Sequence, residues 1–362
     1  MKFHLVIPSP DFEEGLTFFR DELGFVLDKI SPAETPSQAE LSGYGLTIWL
    51  DKFAKLEPVT LRVATEDARL SGSQKVGPNG TKVIFGLPQL ENNVEILTEP
   101  SIALNEALNV EWTTGRAGMM YRNLLPSGPW NFIASHIKIP GSGNVPDWVH
   151  HHDAQFQIIY CYKGAAKLVY EDQGPPFIFK AGDCVLQPPH IRHQVLESFD
   201  DLEVIEVMTP LIHSTFSDHV MKLPNDEFDP GRIFESQRFI WNQSKDRQWK
   251  AISGSSDSHY QVGETGIREA SAHRGDVQIL RSVAGEGNGD ILIPSLDDSG
   301  SKFILWFVLS GTASFVGLAE VPVRDVSEGD AISLINAPLE SRGRGFRLPS
   351  DDFAVLEVRL PQ

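Results

Sequence analysis

The chain has 362 residues, of which 41% are apolar and 22% charged, with 31 Lys and Arg set against 49 Asp and Glu. The resulting net charge of −18 repels phosphate backbones and anionic membrane surfaces, which argues against nucleic acid and lipid as partners and leaves small molecules. Cys161 and Cys184 are the only cysteines, too few for a disulfide scaffold and compatible with a reducing compartment. Met1–Pro8 lacks the long apolar run of a signal peptide, and no stretch is long enough to span a bilayer, so a cytoplasmic location is expected.

The chain opens with an apolar strand, Phe3 to Ile7, followed by helix-start chemistry at Ser9-Pro10-Asp11. Phe12, Leu16, Phe19 and Leu23 recur at helical spacing, and Gly24 suits a left-handed helix end. Strands are expected at Leu46 to Leu50 and Val59 to Val63. This strand–helix–Leu-Gly-Phe order, with His4 on the first strand, resembles a half-module of the vicinal oxygen chelate (glyoxalase-like) superfamily. In that family the first-strand histidine can be a metal ligand. Here no carboxylate partner stands between Gly45 and Leu50, so residues 1–105 are read as a packing or lid segment of α+β type.

Two later segments, about Tyr121 to Pro210 and Gly266 to Pro361, consist of short runs rich in Val, Ile, Phe and Tyr between Gly, Pro and Asp turns. That pattern is the mark of a sandwich or barrel. Phe156–Gly164 parallels Phe303–Gly311, and Gly182-Asp183 parallels Gly329-Asp330, both at an offset of 311 − 164 = 147. Asp201–Val207 parallels Asp352–Val358 at an offset of 352 − 201 = 151, which one four-residue insertion explains. The chain is therefore mainly β, with two copies of one barrel at 106–215 and 251–362 joined by a polar linker at 216–250.

Between them the barrels carry one constellation of chemical interest. On a strand, His150 and His152 project to the same face while His151 points away. A third histidine, His193, follows the Gly182-Asp183 turn and Pro188-Pro189, as on the return strand of a hairpin. Three imidazoles so placed leave coordination positions open for water or substrate, which suits a transition metal. On the next strand Gln157, Ile159 and Cys161 share the face expected to line the interior. Phe156, Ile158, Tyr160 and Tyr162 share the face expected to pack on a partner layer.

The run reads His150-x-His152-x4-Gln157-x6-Gly164, then Gly182-x5-Pro188-x-His190-x2-His193. It resembles the two motifs of the cupin superfamily, with Gln157 in place of the usual Glu and His190 in place of the usual turn Gly. The duplication then looks like a bicupin, a pair of double-stranded β-helix (jelly-roll) barrels. The resemblance implies that His150, His152, Gln157 and His193 ligate one divalent transition metal (Zn, Fe, Mn, Ni or Cu). No nucleotide cofactor is indicated, and a homo-oligomer is compatible with the family.

In the second copy Asp297, Ser299 and Ile304 stand where the first has His150, His152 and Gln157, and Ala337 to Arg342 contains no histidine. That barrel is read as a degenerate, structural partner. Around the first site, Glu206 is the candidate acid or base, although its counterpart Glu357 in the ligand-free copy suits a structural role. Tyr121, Arg192 and His136 are candidate substrate-binding residues, with Arg122 and Tyr160 as further groups able to orient an anion. Cys161 reads as a buried thiol, and Trp130 and Trp148 as packing residues.

A neutral Gln157 leaves the ion more electrophilic than a carboxylate would. The expected function is therefore Lewis-acid isomerisation, ring opening, elimination or cyclisation of a small keto, hydroxy or sugar acid. The alternatives are a non-haem iron dioxygenase acting on a diketone or aromatic diol, and a non-catalytic binding or sensor protein.

Overall fold

The computed structural model describes residues 3–65, 67, 69–86, 96–108, 110–251, 260–283, 291–292, 302–316, 323–336, 345–347 and 349–361. The chain separates into two compact units, residues 1–93 and 94–362. Among the described residues no helix is long and apolar enough to cross a membrane.

In the first unit the Asp11 side chain accepts from Glu14 N at 3.1 Å and starts the helix Phe12–Thr17, which a π-type turn prolongs over Phe18–Glu22. Phe12, Leu16, Phe19 and Leu23 are all buried, and Gly24 takes φ +78° to end the element. Behind the helix, strands Leu5–Pro8, Leu46–Asp51, Gln38–Gly43 and Val26–Ser31 form one sheet in that spatial order, the first two parallel. Strand Thr60–Val63 belongs to a separate three-stranded sheet. His4 Nε2 lies 3.4 Å from a Glu40 carboxylate oxygen and its ring packs on Trp49.

The second unit holds the duplication. Its first sheet runs Ile240–Asn242, Cys184–Leu186, Phe156–Tyr170, His193–Thr209, Ile133–Ile139, Met120–Asn123 and Thr113–Thr114. The two long strands bend. The bend in Phe156–Tyr170 falls at Gly164, with φ +69°, where a Cβ would come within 2.5 Å of Phe199 O. Asp200 and Asp201, at φ +55° and +51°, bend the partner strand opposite it. Each strand thereby serves two layers, and the alternation of inward residues changes parity across the bend.

The second copy repeats this order with Tyr260–Glu264, Asp276–Ser282, Ala354–Leu360, Phe303–Ser310 and Ala331–Ile335. Gly311 and Gly329 take φ +72° and +88°, matching +69° and +91° at Gly164 and Gly182. Asp297, Ser299 and residues 337–342 lie outside the described residues.

The copies also exchange edge strands. Ser101–Asn105, from the span read as N-terminal segment, pairs with Ala331–Ile335 of the second copy. Ile240–Asn242, from the span read as linker, pairs with Cys184–Leu186 of the first. A matched pair of clasps fixes the exchange. Arg122 bonds Asn105 Oδ1 at 2.6 Å and Gly329 O at 2.8 Å, while Arg247 bonds Asn242 Oδ1 and Gly182 O, each at 2.7 Å.

Phe156, Ile158 and Tyr160 face Phe303, Leu305 and Phe307 in one apolar core shared by both copies. Among the described residues, Trp306, Phe315, Phe346 and Phe353 pack together in the second copy's own apolar core. By the repeat offset Trp306 stands where the first copy has 306 − 147 = 159, an isoleucine, and Ile304 where it has Gln157.

Candidate metal centre

The short strand His150–His152 lies between His193–Thr209 and Thr215–Ser217, with His150 opposite His193 and His152 opposite Thr215. Strand alternation turns His150 and His152 to the interior. His151 turns outward and stacks on Phe216 at 5.1 Å. The ring centroids of His150 and His193 are 4.2 Å apart, and His152 lies 5.2 and 5.3 Å from them. One nitrogen from each of the three falls within 4.8 Å of the other two; among the described residues no other group of His, Cys, Asp and Glu meets this condition.

Each ring is held through Nδ1. His150 Nδ1 meets Trp148 O at 2.8 Å, His193 Nδ1 meets Ile191 O at 3.0 Å, and His152 Nδ1 meets Thr215 Oγ1 at 2.8 Å. A carbonyl can only accept, so His150 and His193 carry their proton on Nδ1 and present a bare Nε2. Such anchoring of the far nitrogen is what metal-binding imidazoles require. Burial lowers the pKa of all three: His193 well below the usual value, His152 to about 3 with His150 adding to the effect, and His150 with help from Arg116. Neutral, convergent imidazoles fit a divalent transition ion.

Gln157 is buried and its amide nitrogen donates to Glu206 Oε1 at 2.8 Å, which leaves the amide oxygen as the end able to face an ion. Glu206 lies across the ladder from Ile159 and Ser135, and burial raises its pKa against the opposing bond from Gln157. These groups line a cavity of about 430 Å³ together with Tyr121, whose hydroxyl donates to Met119 Sδ at 3.7 Å.

Four of the sequence candidates stand elsewhere. On Ile133–Ile139 the odd-numbered residues line the cavity. The even-numbered His136 points to the other face, bonds Glu203 at 2.7 Å and packs on Trp112, Tyr162 and Phe307 of the second barrel. Arg192 precedes His193 and has the opposite parity. Its side chain is taken up by Asp218 at 3.0 Å and Glu171 at 3.6 Å, outside the cavity. Arg122 serves a clasp, Tyr160 the shared core, and Cys161 is a buried thiol whose pKa burial raises. Trp130 is buried, whereas Trp148 is partly exposed with Arg116 against its face.

Sequence reasoning missed several lining residues, among them Arg116, Gln187 and His213. Arg116 bonds Asp147 Oδ1 at 2.6 Å, and its other terminal nitrogen lies 3.1 Å from His150 Nε2. Gln187 Nε2 lies 3.2 Å from His193 Nε2 while its oxygen accepts from Tyr170. His213 lies beside His152 at 5.9 Å between centroids, with Nδ1 on Pro210 O at 3.1 Å. The turn glycines Gly115 and Gly118 around Arg116 were the one available signal. His190, which replaces a motif glycine, adopts φ +63°, the backbone a glycine would favour there.

One copy thus brings three imidazoles together at ligand spacing, and a second copy shares its core. Residues 136–208 match the Cupin_2 family, described as Cupin domain. Residues 136–208 thus carry the cupin match, and the fold is mainly β, with two cupin-type barrels and a smaller α+β segment. No curated protein sequence matches it. Among solved structures it is similar to a putative glyoxylate-induced protein from Pseudomonas aeruginosa, at 13% identity over 75% of this chain and 92% of that one, TM-score 0.48. It is also similar to an oxalate decarboxylase–formate complex from Lactobacillus farciminis, at 14% identity over 74% and 88%, TM-score 0.49. A third is Streptomyces albus HEPD with 2-hydroxyethylphosphonate and Fe(II) bound, at 9% identity over 74% and 78%, TM-score 0.47.

Proposed function

We propose that the protein is a metal-dependent enzyme that rearranges a small oxygenated metabolite by isomerisation, ring opening, elimination or cyclisation. The observation that carries this reading is the set of three neutral imidazoles with anchored Nδ1 atoms, opening on a cavity that also holds a carboxyl group. His150, His152 and His193, with Gln157 Oε1 as fourth donor, would hold one divalent transition ion. Such an ion supplies Lewis acidity, drawing electron density from a carbonyl or hydroxyl oxygen.

The protein's own groups would do the rest. Among the described residues Glu206 is the one carboxyl group on the cavity wall, and Gln157 fixes its orientation. Burial raises its pKa, which suits it to exchange a proton at Oε with a substrate carbon or oxygen. Tyr121 borders the same space, and the aliphatic walls keep bulk water from competing for that proton. A cytoplasmic location and a small-molecule partner complete the proposal.

A second reading is an iron dioxygenase, favoured by the absence of a carboxylate among the three histidine-site residues and by the apolar cavity. Elemental analysis of the purified protein and of His193→Ala tests the metal site. One tightly held equivalent of metal in the variant would refute it. Oxygen consumption by anaerobically iron-loaded protein with diketones and aromatic diols separates the two chemistries. Multiple turnover of any substrate excludes a purely binding role.

A further inference from the structure

The cavity is chemically two-ended. Arg116, Gln187, His213 and Thr215 gather with the three histidines, and the Arg116 side chain, 29% exposed, marks this as the end nearer solvent. The other end is apolar. Tyr170 is paired with His193, and Leu168 and Ala166 follow on the same face of that strand. At about 3.3 Å per residue they lie roughly 7 and 13 Å further along. Phe179, Leu202 and Val204 close this end, each no more than 8% exposed.

Arg116 supplies the second half of the argument. One terminal nitrogen is engaged by Asp147 Oδ1 at 2.6 Å, and Asp147 Oδ2 accepts from Val195 N at 3.0 Å. The other lies 3.1 Å from His150 Nε2, the lone pair an ion would take. Once that lone pair is given to an ion, this nitrogen is left without its acceptor, beside a dication and in a largely apolar cavity. Glu206 is engaged with Gln157. A guanidinium so placed calls for an anionic oxygen.

The geometry points to a substrate with a carboxylate at the histidine end and an uncharged aliphatic or aromatic body in the apolar end. This rests on the proposed metal site and names its substrate class. The 430 Å³ of the cavity equals roughly 14 water volumes at about 30 Å³ each, room for an aryl- or branched-alkyl 2-oxo or 2-hydroxy acid. It disfavours the sugar acids, whose hydroxyls would face Leu168, Phe179, Leu202 and Val204 without partners. Each such lost hydrogen bond weakens binding by roughly ten-fold.

The test is calorimetric titration of the full chain, first with Co(II), then of the cobalt-loaded protein with pyruvate, phenylpyruvate and gluconate. Phenylpyruvate is expected to bind at least about ten-fold more tightly than gluconate. Ala166→Leu, which shortens the apolar end, should weaken phenylpyruvate by about ten-fold while leaving pyruvate and cobalt within about three-fold. Arg116→Gln should weaken both keto acids by about ten-fold or more. Gluconate binding as tightly as phenylpyruvate, or no binding of phenylpyruvate, overturns the assignment with wild-type protein alone, whether or not the variants fold. Equal losses for both keto acids in a folded Ala166→Leu variant overturn it too. A failure to bind cobalt at the first step refutes the three-histidine reading itself, whereas cobalt bound with gluconate preferred refutes only the substrate class.

Discussion

Of the three Nδ1 anchors, two are backbone carbonyls that no substitution removes, and only the Thr215 hydroxyl on His152 is a side chain. Thr215→Val therefore isolates the contribution of anchoring. Valine keeps the branched shape and the strand preference, and residue 215 is exposed, so folding stability should change by less than about 0.5 kcal/mol. His152, however, loses the partner that fixes its ring, and outer partners of this kind are worth about 10- to 100-fold in metal affinity, or about 1.4–2.8 kcal/mol. Competition of cobalt or zinc against a chromophoric chelator measures this directly. Thr215→Ser retains the hydroxyl and should stay within about three-fold of wild type. Valine and serine variants both binding as tightly as wild type, with unchanged unfolding, would refute the idea that Nδ1 anchoring prepares the site.

Other perturbations probe the surrounding structure. Because burial holds the three imidazoles below their ordinary pKa, His152 at about 3, the unfolded chain binds more protons than the folded one as pH falls below about 6.5. The melting temperature of metal-stripped protein should therefore fall between pH 7.5 and 5.5, and His152→Gln should flatten the dependence; a flat or rising wild-type profile contradicts it. Gly164→Ala, which places a Cβ 2.5 Å from Phe199 O at φ +69°, should destabilise by more than about 2 kcal/mol in denaturant titration. Trp306→Ala truncates a fully buried side chain in the second copy's core and removes the indole donor from Glu357 at 2.7 Å. It should lower stability by about 3–5 kcal/mol while metal affinity in the folded fraction stays unchanged.

The histidine set was legible because its geometry is local. Two residues with one between them on a strand share a face, and the glycines at 164 and 182 take positive φ. Gln157 and Glu206 were both noticed, but their bond depends on cross-strand register between residues 157 and 206, which residue types alone leave open. His136 and Arg192 were drawn to the site by nearness in sequence, and strand parity carries both side chains away. Arg116 and His213 reach the cavity from loops outside either motif, placed by turns at Gly115–Gly118 and after Thr209. The N-terminal helix was readable to within a residue or two of its start because capping and periodicity are also local, although Asp11 caps it and Pro10 precedes it. The edge strand Ser101–Asn105 was not, since five residues pairing with a strand at 331–335 leave no periodic trace of their partner.

The strand exchange bears on how the two barrels unfold. Phe156, Ile158, Tyr160, Phe303, Leu305 and Phe307 are buried together in the shared core. At about 1.5–3 kcal/mol for each large apolar side chain, their burial contributes on the order of 10 kcal/mol, comparable with the whole net stability of an ordinary domain. Opening either barrel alone would expose half of that core, strip an edge strand from the other barrel and break a clasp. Residues 94–362 should therefore unfold in one transition, detected by calorimetry with a calorimetric enthalpy equal to the van't Hoff value. Arg122→Leu, which removes one clasp and leaves Gly329 O and Asn105 without their donor, should shift that transition down without splitting it. Two resolved transitions for 94–362 in the wild type would show that the exchanged strands and shared core do not couple the barrels. The second copy would then contribute little to holding the first one open around its histidines.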